Sequence, residues 1–164
     1  MIQQIMMVTV AITVAVMVLC FATDIRERMI YAFPCIALTS IWVVLGVIST
    51  RQFLLIGAVL TVHLVIYLTF KITGAWGDGD SDVFLLYGMI FMMMILTGGH
   101  EIGIMMYLIV ELAGLVIALL ISFVVAVIEA KFKGQKLTRQ SSIAVVPGFS
   151  IVIILMVTKM VFWR

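Results

Sequence analysis

Two short acidic stretches hold the side chains of this chain that are best suited to acid–base chemistry. One apolar run ends in Thr23-Asp24-Ile25-Arg26-Glu27-Arg28, and another begins after Gly77-Asp78-Gly79-Asp80-Ser81-Asp82. An ionisable side chain at the edge of a bilayer is costly to keep there, so each carboxylate is by default a functional-site hypothesis. Two carboxylates brought to the same face could share one proton, which would supply a general acid and a general base.

The composition indicates what surrounds these stretches. Of the 164 residues, 65% are hydrophobic and 11% are charged, with a mean hydropathy of +1.34, whereas a soluble domain is about half apolar and about a quarter charged. The sequence therefore predicts an integral membrane protein, with the lipid bilayer as a partner. A net charge of +2 without a dense basic run argues against binding of nucleic acid. Cys20 and Cys35 lack the spacing of a metal or disulfide motif, so we expect packed thiols, no metal and no cofactor.

Apolar runs divide the chain into six candidate membrane spans. Each run meets or nearly meets the ~20 residues that a helix needs to cross ~30 Å of hydrocarbon. The sequence predicts an all-α membrane protein, a polytopic bundle of about six transmembrane helices with short loops, in which residues 1–164 form a single membrane-embedded domain. The runs are Ile5–Thr23, Met29–Thr50, Gln52–Phe70, Val83–Gly99, Ile102–Ile128 (interrupted by Glu111) and Gln140–Thr158.

The distribution of basic residues predicts the orientation of the bundle. With the N-terminus outside, the loops 24–28, 71–82 and 129–139 face the cytoplasm and carry seven of the ten basic residues, as the positive-inside rule requires. Asp24 and the acidic segment 78–82 then lie together on the cytoplasmic side. The seven basic residues are Arg26, Arg28, Lys71, Lys131, Lys133, Lys136 and Arg139, against Arg51, Lys159 and Arg164 outside.

Two polar residues, Glu111 and His63, lie inside the apolar runs. Glu111 lies three residues before Gly114 and shares its helix face, so we expect the carboxylate to point into the bundle. That face carries a stripe of small residues at i+4 spacing, which lets a neighbouring helix approach closely. His63 is expected to make a hydrogen bond between helices. The stripe consists of Gly114, Ala118, Ser122, Ala126 and Ala130.

Gly77 and Gly79 are expected to shape a loop in front of the fourth helix. Glycine permits positive φ and close backbone approach, so such a loop could fold back and present Asp80 at the membrane edge, with room for a substrate strand. Asp24 is expected to end the first helix. Structural roles stay open for both aspartates, because Asp24 could pair with Arg28 one turn on and Asp80 could lie in the N-cap region of a helix.

The two acidic stretches resemble the motifs of the type IV prepilin peptidases, polytopic aspartyl proteases of the GxGD class. The first motif is matched by Asp24-Ile25-Arg26-Glu27-Arg28-Met29-Ile30, with Tyr31 where proline is usual. The second is matched by Gly77-Asp78-Gly79-Asp80, with Asp82 where lysine is usual. The segment Ile143-Ala144-Val145-Val146-Pro147-Gly148 is similar to a proline-containing apolar segment near the C-terminus of such proteins. The likeness extends over nearly the whole chain and is to the small, peptidase-only branch, similar to that of tight-adherence (Flp-type) pili.

The resemblance implies an aspartic-type endopeptidase that removes the basic leader from prepilin-like precursors at the cytoplasmic face of a prokaryotic cytoplasmic membrane. It implies Asp24 and Asp80 as the catalytic pair, one ionised to activate water and the other protonated to polarise the scissile carbonyl, without a metal. Pilus or secretion assembly components are further expected partners. The residues expected to bind substrate or to shape the site are Gly77, Asp78, Gly79 and Asp82.

Two other functions stay open. Glu111 and His63 could form a buried relay in a small proton-coupled transporter or channel, although no internal repeat or proline-interrupted helix pair of the transporter kind is visible. The departures at Tyr31 and Asp82 are compatible with a catalytically inactive relative that acts as an assembly factor.

Overall fold

The computed structural model describes residues 2–27, 29–74, 76–98, 103–134 and 144–162, and these residues form helices and short connections without a strand. In a bilayer every backbone N–H and C=O group needs a partner within the protein, which a continuous helix provides. The predicted all-α polytopic bundle is confirmed. Its described helices are α1 (Ile2–Glu27), α2 (Ala32–Thr50), α3 (Phe53–Thr73), α4 (Asp78–Thr97), α5 (Ile104–Phe132) and α6 (Val146–Phe162).

Five of these helices, α1 to α5, are long and apolar enough to cross a membrane. The remaining helix, α6, has 17 residues, which stands at the lower limit of about 17 for a span. It begins at Val146, and Pro147 lies in its first turn, where a proline removes no helical hydrogen bond. The predicted start of this span, Gln140, lies outside the described residues.

The central helix of the bundle is α4. It packs against α2, α3 and α6, and every residue from Ser81 to Met93 is buried. By contrast, α3 and α5 bury only a narrow stripe and expose apolar side chains on their other faces. A bundle of this kind presents apolar side chains to lipid and keeps its polar residues for contacts between helices.

Contacts between helix ends fix which ends lie together. Ile30, shortly after α1, packs against Gly79 at the start of α4, and Trp76 packs against Phe149 in the first turn of α6, with ring centroids 6.0 Å apart. We call this the aspartate end, because it holds Asp24 and the acidic segment 78–82. The start of α1 and the end of α6 line a common pocket at the opposite end.

Basic residues divide between these two ends as the charge pattern predicted. Among the described residues, the helix ends and loops at the aspartate end carry more of them than those at the opposite end. Arg26, Lys71, Lys131 and Lys133 lie towards the aspartate end and Arg51 and Lys159 towards the other, while Arg28, Lys136, Arg139 and Arg164 lie outside the described residues.

Small residues bring α5 and α6 together. Gly148 of α6 lies so close to α5 that a Cβ atom there would meet the carbonyl oxygen of Ala118 and the side chain of Ser122. The Ser122 hydroxyl donates to the Val145 carbonyl at 2.5 Å and accepts from the Gly148 N–H at 3.0 Å. It thereby satisfies a backbone N–H in the first turn of α6, which has no partner within the helix. The prediction that the small-residue stripe admits a neighbouring helix is confirmed at Ala118 and Ser122.

Candidate functional site

Asp24 lies on the inward face of α1 and is only 5% exposed. The prediction that it ends the first helix is wrong, because α1 continues to Glu27 and carries Arg26 in its last turn. The extra turn places Arg26 and Glu27 at the exposed helix end and leaves the Asp24 carboxylate inside the bundle. Arg28, the alternative partner of Asp24, lies outside the described residues.

The second acidic stretch is helical. The prediction of a loop is wrong, because α4 already begins at Asp78, with Gly77 as its N-cap residue. Neither Gly77, with φ −59°, nor Gly79, within the helix, has a positive φ. Acidic side chains in a first turn are favoured by the positive end of the helix dipole, which accounts for the early start of α4. Asp78 is exposed there, whereas Asp80 is half-buried.

Gly77 leaves room for the carboxylate of Asp80. A Cβ atom at position 77 would lie 3.0 Å from the Oδ2 atom of Asp80. Any larger residue at this position would therefore crowd the carboxylate at the start of α4.

Ile30 connects the two acidic stretches. A Cβ atom at Gly79 would lie 2.6 Å from the Cβ atom and 2.8 Å from the Cδ1 atom of Ile30, so the isoleucine rests directly on the backbone of α4. Ile30 belongs to the first motif and Gly79 to the second. The structure thus brings the segment that follows Asp24 against the helical turn that holds Asp80. The close backbone approach that glycine permits is thus found at Gly79, where Ile30 of the connection after α1 contacts α4.

The connection between the motifs continues into α2. Tyr31, at the position where the resemblance expects proline, is the exposed N-cap residue of α2. Pro34 lies in the first turn of that helix, where a proline is compatible with helix initiation. The chain thus has a helix-starting proline near this point, three residues after the expected position.

Asp82 is an interior residue of α4 with an exposure of 0%. The Nζ atom of Lys71, in the last turn of α3, lies 3.1 Å from its Oδ1 atom and 4.9 Å from the centroid of the Tyr67 ring. The contact is an ion pair between a fully buried carboxylate and a partly exposed lysine. Asp82 therefore joins α4 to α3 instead of shaping a loop.

Two thiols lie between the carboxylates of Asp24 and Asp82. Cys20 on α1 and Cys35 on α2 are both buried, free thiols that lie close enough to interact with each other. Asp24 is close enough to interact electrostatically with Cys20, and Asp82 with Cys35. A polar layer therefore crosses the bundle beneath the aspartate end, from α1 through α2 to α4.

Aromatic rings anchor the chain just before α4. Trp76 packs against Phe70 of α3, Phe84 of α4 and Phe149 of α6, with ring centroids 4.7, 5.7 and 6.0 Å apart. Such aromatic pairs add to the burial of apolar area and have defined geometries. The anchor fixes the connection that leads from α3 into the first turn of α4.

A second polar cluster lies deeper in the bundle, at His63 and Glu111. The Nε2 atom of His63 lies 2.6 Å from the Oε1 atom of Glu111, and its Nδ1 atom lies 2.9 Å from the Val59 carbonyl oxygen. The Tyr107 hydroxyl is 3.4 Å from the same Glu111 oxygen, and the Tyr87 hydroxyl donates to the Glu111 backbone carbonyl at 3.0 Å. The predictions that Glu111 points into the bundle and that His63 bonds between helices are confirmed. His100, the other histidine, lies outside the described residues.

Sequence reasoning missed three contributors to these clusters. In the sequence, Lys71 indicates only which side of the membrane its loop faces. Its position in the last turn before a short, acidic connection is nevertheless compatible with a contact across that connection. Tyr87 and Tyr107 gave no usable signal, because tyrosines in apolar runs are also common at membrane interfaces.

The chain was compared with protein-family models, with curated proteins and with solved structures, and nothing matches.

Proposed function

We propose that this chain is a membrane aspartyl endopeptidase with Asp24 and Asp80 as its catalytic pair. The observation that carries the proposal is the contact of Ile30 with Gly79, which brings the segment after Asp24 against the turn of Asp80. One of the two carboxylates is buried and the other is half-buried. This combination suits a pair that needs both a protected proton and access to water. The resemblance of both motifs to those of the prepilin peptidases supports the same assignment.

In the proposed mechanism the two carboxylates hold one proton between them. The ionised carboxylate takes a proton from water while the water oxygen attacks the scissile carbonyl, and the protonated carboxylate gives its proton to the carbonyl oxygen. When the tetrahedral intermediate collapses, the leaving amine takes the proton that came from water. As the C=O bond reforms, one of the two hydroxyl groups of the intermediate gives its proton to the ionised carboxylate, so the pair again holds one proton.

We propose a prepilin-like precursor as the substrate and the cytoplasm as the side on which it is cut. The exposed Asp78 in the first turn of α4 provides an acidic group that complements a basic leader. The concentration of basic residues at the aspartate end supports a cytoplasmic orientation under the positive-inside rule. Pilus or secretion assembly components are further proposed partners.

Co-expression with a tagged prepilin-like precursor tests this function. Wild type should shorten the precursor on a gel, whereas Asp24→Asn and Asp80→Asn should each slow cleavage by at least about 100-fold, because an amide cannot take up or release the proton. Glu27→Gln is the matched control, since it removes an exposed carboxylate at the end of α1 and should leave cleavage unchanged. Helical content and gel-filtration profile should be equal in all four proteins.

Two results would contradict the proposal. Cleavage at the wild-type rate by either asparagine variant would show that the pair does not carry the chemistry. Absence of cleavage by folded wild type, with the cognate precursor present in the same membrane, would favour an inactive assembly factor or a transporter.

The separation of 2.6 Å between His63 and Glu111 favours one second candidate, a proton-coupled transporter or channel. A buried imidazole–carboxylate pair inside a membrane bundle is a typical component of a proton relay. This function predicts that Glu111→Gln abolishes proton flux into liposomes loaded with a pH-sensitive dye, while Asp24→Asn has little effect. Equal flux in wild-type, Glu111→Gln and protein-free liposomes would exclude it.

A further inference from the structure

Lys71 and Asp82 form an ion pair that joins the end of α3 to the start of α4. Their atoms Nζ and Oδ1 are 3.1 Å apart, the side chain of Asp82 is fully buried, and that of Lys71 is 29% exposed. A buried carboxylate needs a compensating charge, because removal from water costs several kcal/mol for an unpaired ion. Lys71 is the cation that the described part of the chain brings to it.

The other groups around Asp82 do not replace this cation. Tyr67 and Lys71 approach from α3 and Cys35 from α2. On α1, Asp24 lies next to the Cys20 thiol. The charged residue of α6, Lys159, lies in the last turn of that helix, at the opposite end. The remaining neighbours are thus neutral or negative.

A contact that restrains Asp82 also restrains the position of Asp80. The two residues belong to the first turns of α4, which form one rigid unit once the backbone is helical. The end of a helix frays unless side chains or tertiary contacts hold it. An ion pair on one face of this turn therefore limits how far the carboxylate on another face can move.

We propose that Lys71 is a positioning residue of the peptidase site. Through its ion pair with Asp82, Lys71 holds the first turn of α4 in place, and this keeps Asp80 in a fixed position relative to α1. This inference rests on the proposed function. In this ion pair α3 supplies the cation, Lys71, and α4 supplies the buried anion, Asp82. Lys71 does not touch substrate in this role.

Steady-state cleavage of a peptide that spans a leader–pilin junction, by purified protein in nanodiscs, tests the inference. Lys71→Met should lower kcat on the order of 10- to 100-fold with KM unchanged, as expected when a reacting group is displaced by about 1 Å. Lys71→Arg keeps the charge and should restore most of kcat. Lys133→Met removes a half-exposed lysine that pairs with Glu129 at the same end and should leave both constants unchanged.

A charge exchange, Lys71→Asp with Asp82→Lys, separates positioning from loss of folding. Under the proposal it folds and recovers kcat relative to Lys71→Met. Wild-type kcat in Lys71→Met, or an exchanged protein that melts like wild type but stays as slow as Lys71→Met, would overturn the positioning role and leave the peptidase proposal standing. Absence of cleavage by wild type, by contrast, would overturn the proposed function and the positioning role together.

Discussion

His63 reaches Glu111 across the backbone of α4, at a position where that helix has no side chain. A Cβ atom at Gly88 would collide with the imidazole ring at Cδ2 and Nε2. The ring is held at both nitrogens, by Glu111 and by the Val59 carbonyl, so it cannot swing aside without the loss of a hydrogen bond. Three helices, α3, α4 and α5, are therefore locked by one glycine and one imidazole.

Gly88→Ala should destabilise the bundle by about 1–3 kcal/mol, the usual cost of forcing extra atoms into a packed interior. Thermal unfolding in detergent, followed by circular dichroism, measures the effect. Gly57→Ala is the matched control, because a Cβ atom there meets nothing within 4 Å. Equal melting temperatures for the two variants would show that the His63 ring has space that the structure does not display.

Glu111 and His63 should be energetically coupled. Glu111→Leu and His63→Leu should each destabilise the protein, and the double variant should lose less than the sum, with a coupling of about 0.6–2 kcal/mol as for other hydrogen bonds between membrane helices. Unfolding free energies of the four proteins in one double-mutant cycle give this number. Strict additivity would mean that the 2.6 Å contact contributes no net stability.

Gly79→Ala should separate activity from folding at the proposed site. The added methyl group would lie 2.6 Å from the Cβ atom of Ile30, so the connection after α1 must move away from α4. We expect a loss of cleavage on the order of 100-fold, since reacting groups tolerate only small displacements, together with wild-type helical content. The double variant Gly79→Ala/Ile30→Gly, which removes the Cβ atom and the rest of the side chain that the methyl group would meet, should recover part of the activity if the clash is the cause.

Gly148→Ala should loosen α6 from α5. Its methyl group would meet the Ala118 carbonyl oxygen, a backbone atom that cannot rotate away. Ser122→Ala removes instead the hydroxyl that bonds Val145 and Gly148, which should cost about 1 kcal/mol. Protease susceptibility of the connection between α5 and α6 should rise in both variants, and more in Gly148→Ala. An unchanged digestion pattern in Gly148→Ala would contradict the close contact.

The order of membrane-spanning helices could be predicted from the sequence, because the hydrocarbon core of a bilayer determines the length and the apolar character of each span. An apolar run of about 20 residues in lipid has little choice but to be a helix, and Glu111 and His63 could be assigned to the interior for the same reason. The expectation that small residues admit a close neighbour also held at Ala118 and Ser122. Periodicity along one helix was sufficient for these predictions.

The local structure of the second motif was not predictable in the same way. Two glycines among four residues suggested a loop, but the dipole of α4 and the anchoring of Trp76 favour a helix that starts at Asp78. The partner of Asp82 depends on the packing of α3 against α4, which no spacing within either helix reveals. The catalytic roles of Asp24 and Asp80 stay predictions that the cleavage assay decides.

The burial of α4 has a consequence for biosynthesis. This helix is made before α6, yet α6 covers one of its faces. In a nascent chain, the face of α4 that carries Phe84 and Tyr87 therefore stays open to lipid until α6 arrives. Phe149 of α6 then packs against both rings. A chain that stops before Val146 would therefore leave these two aromatic side chains without their partner on α6.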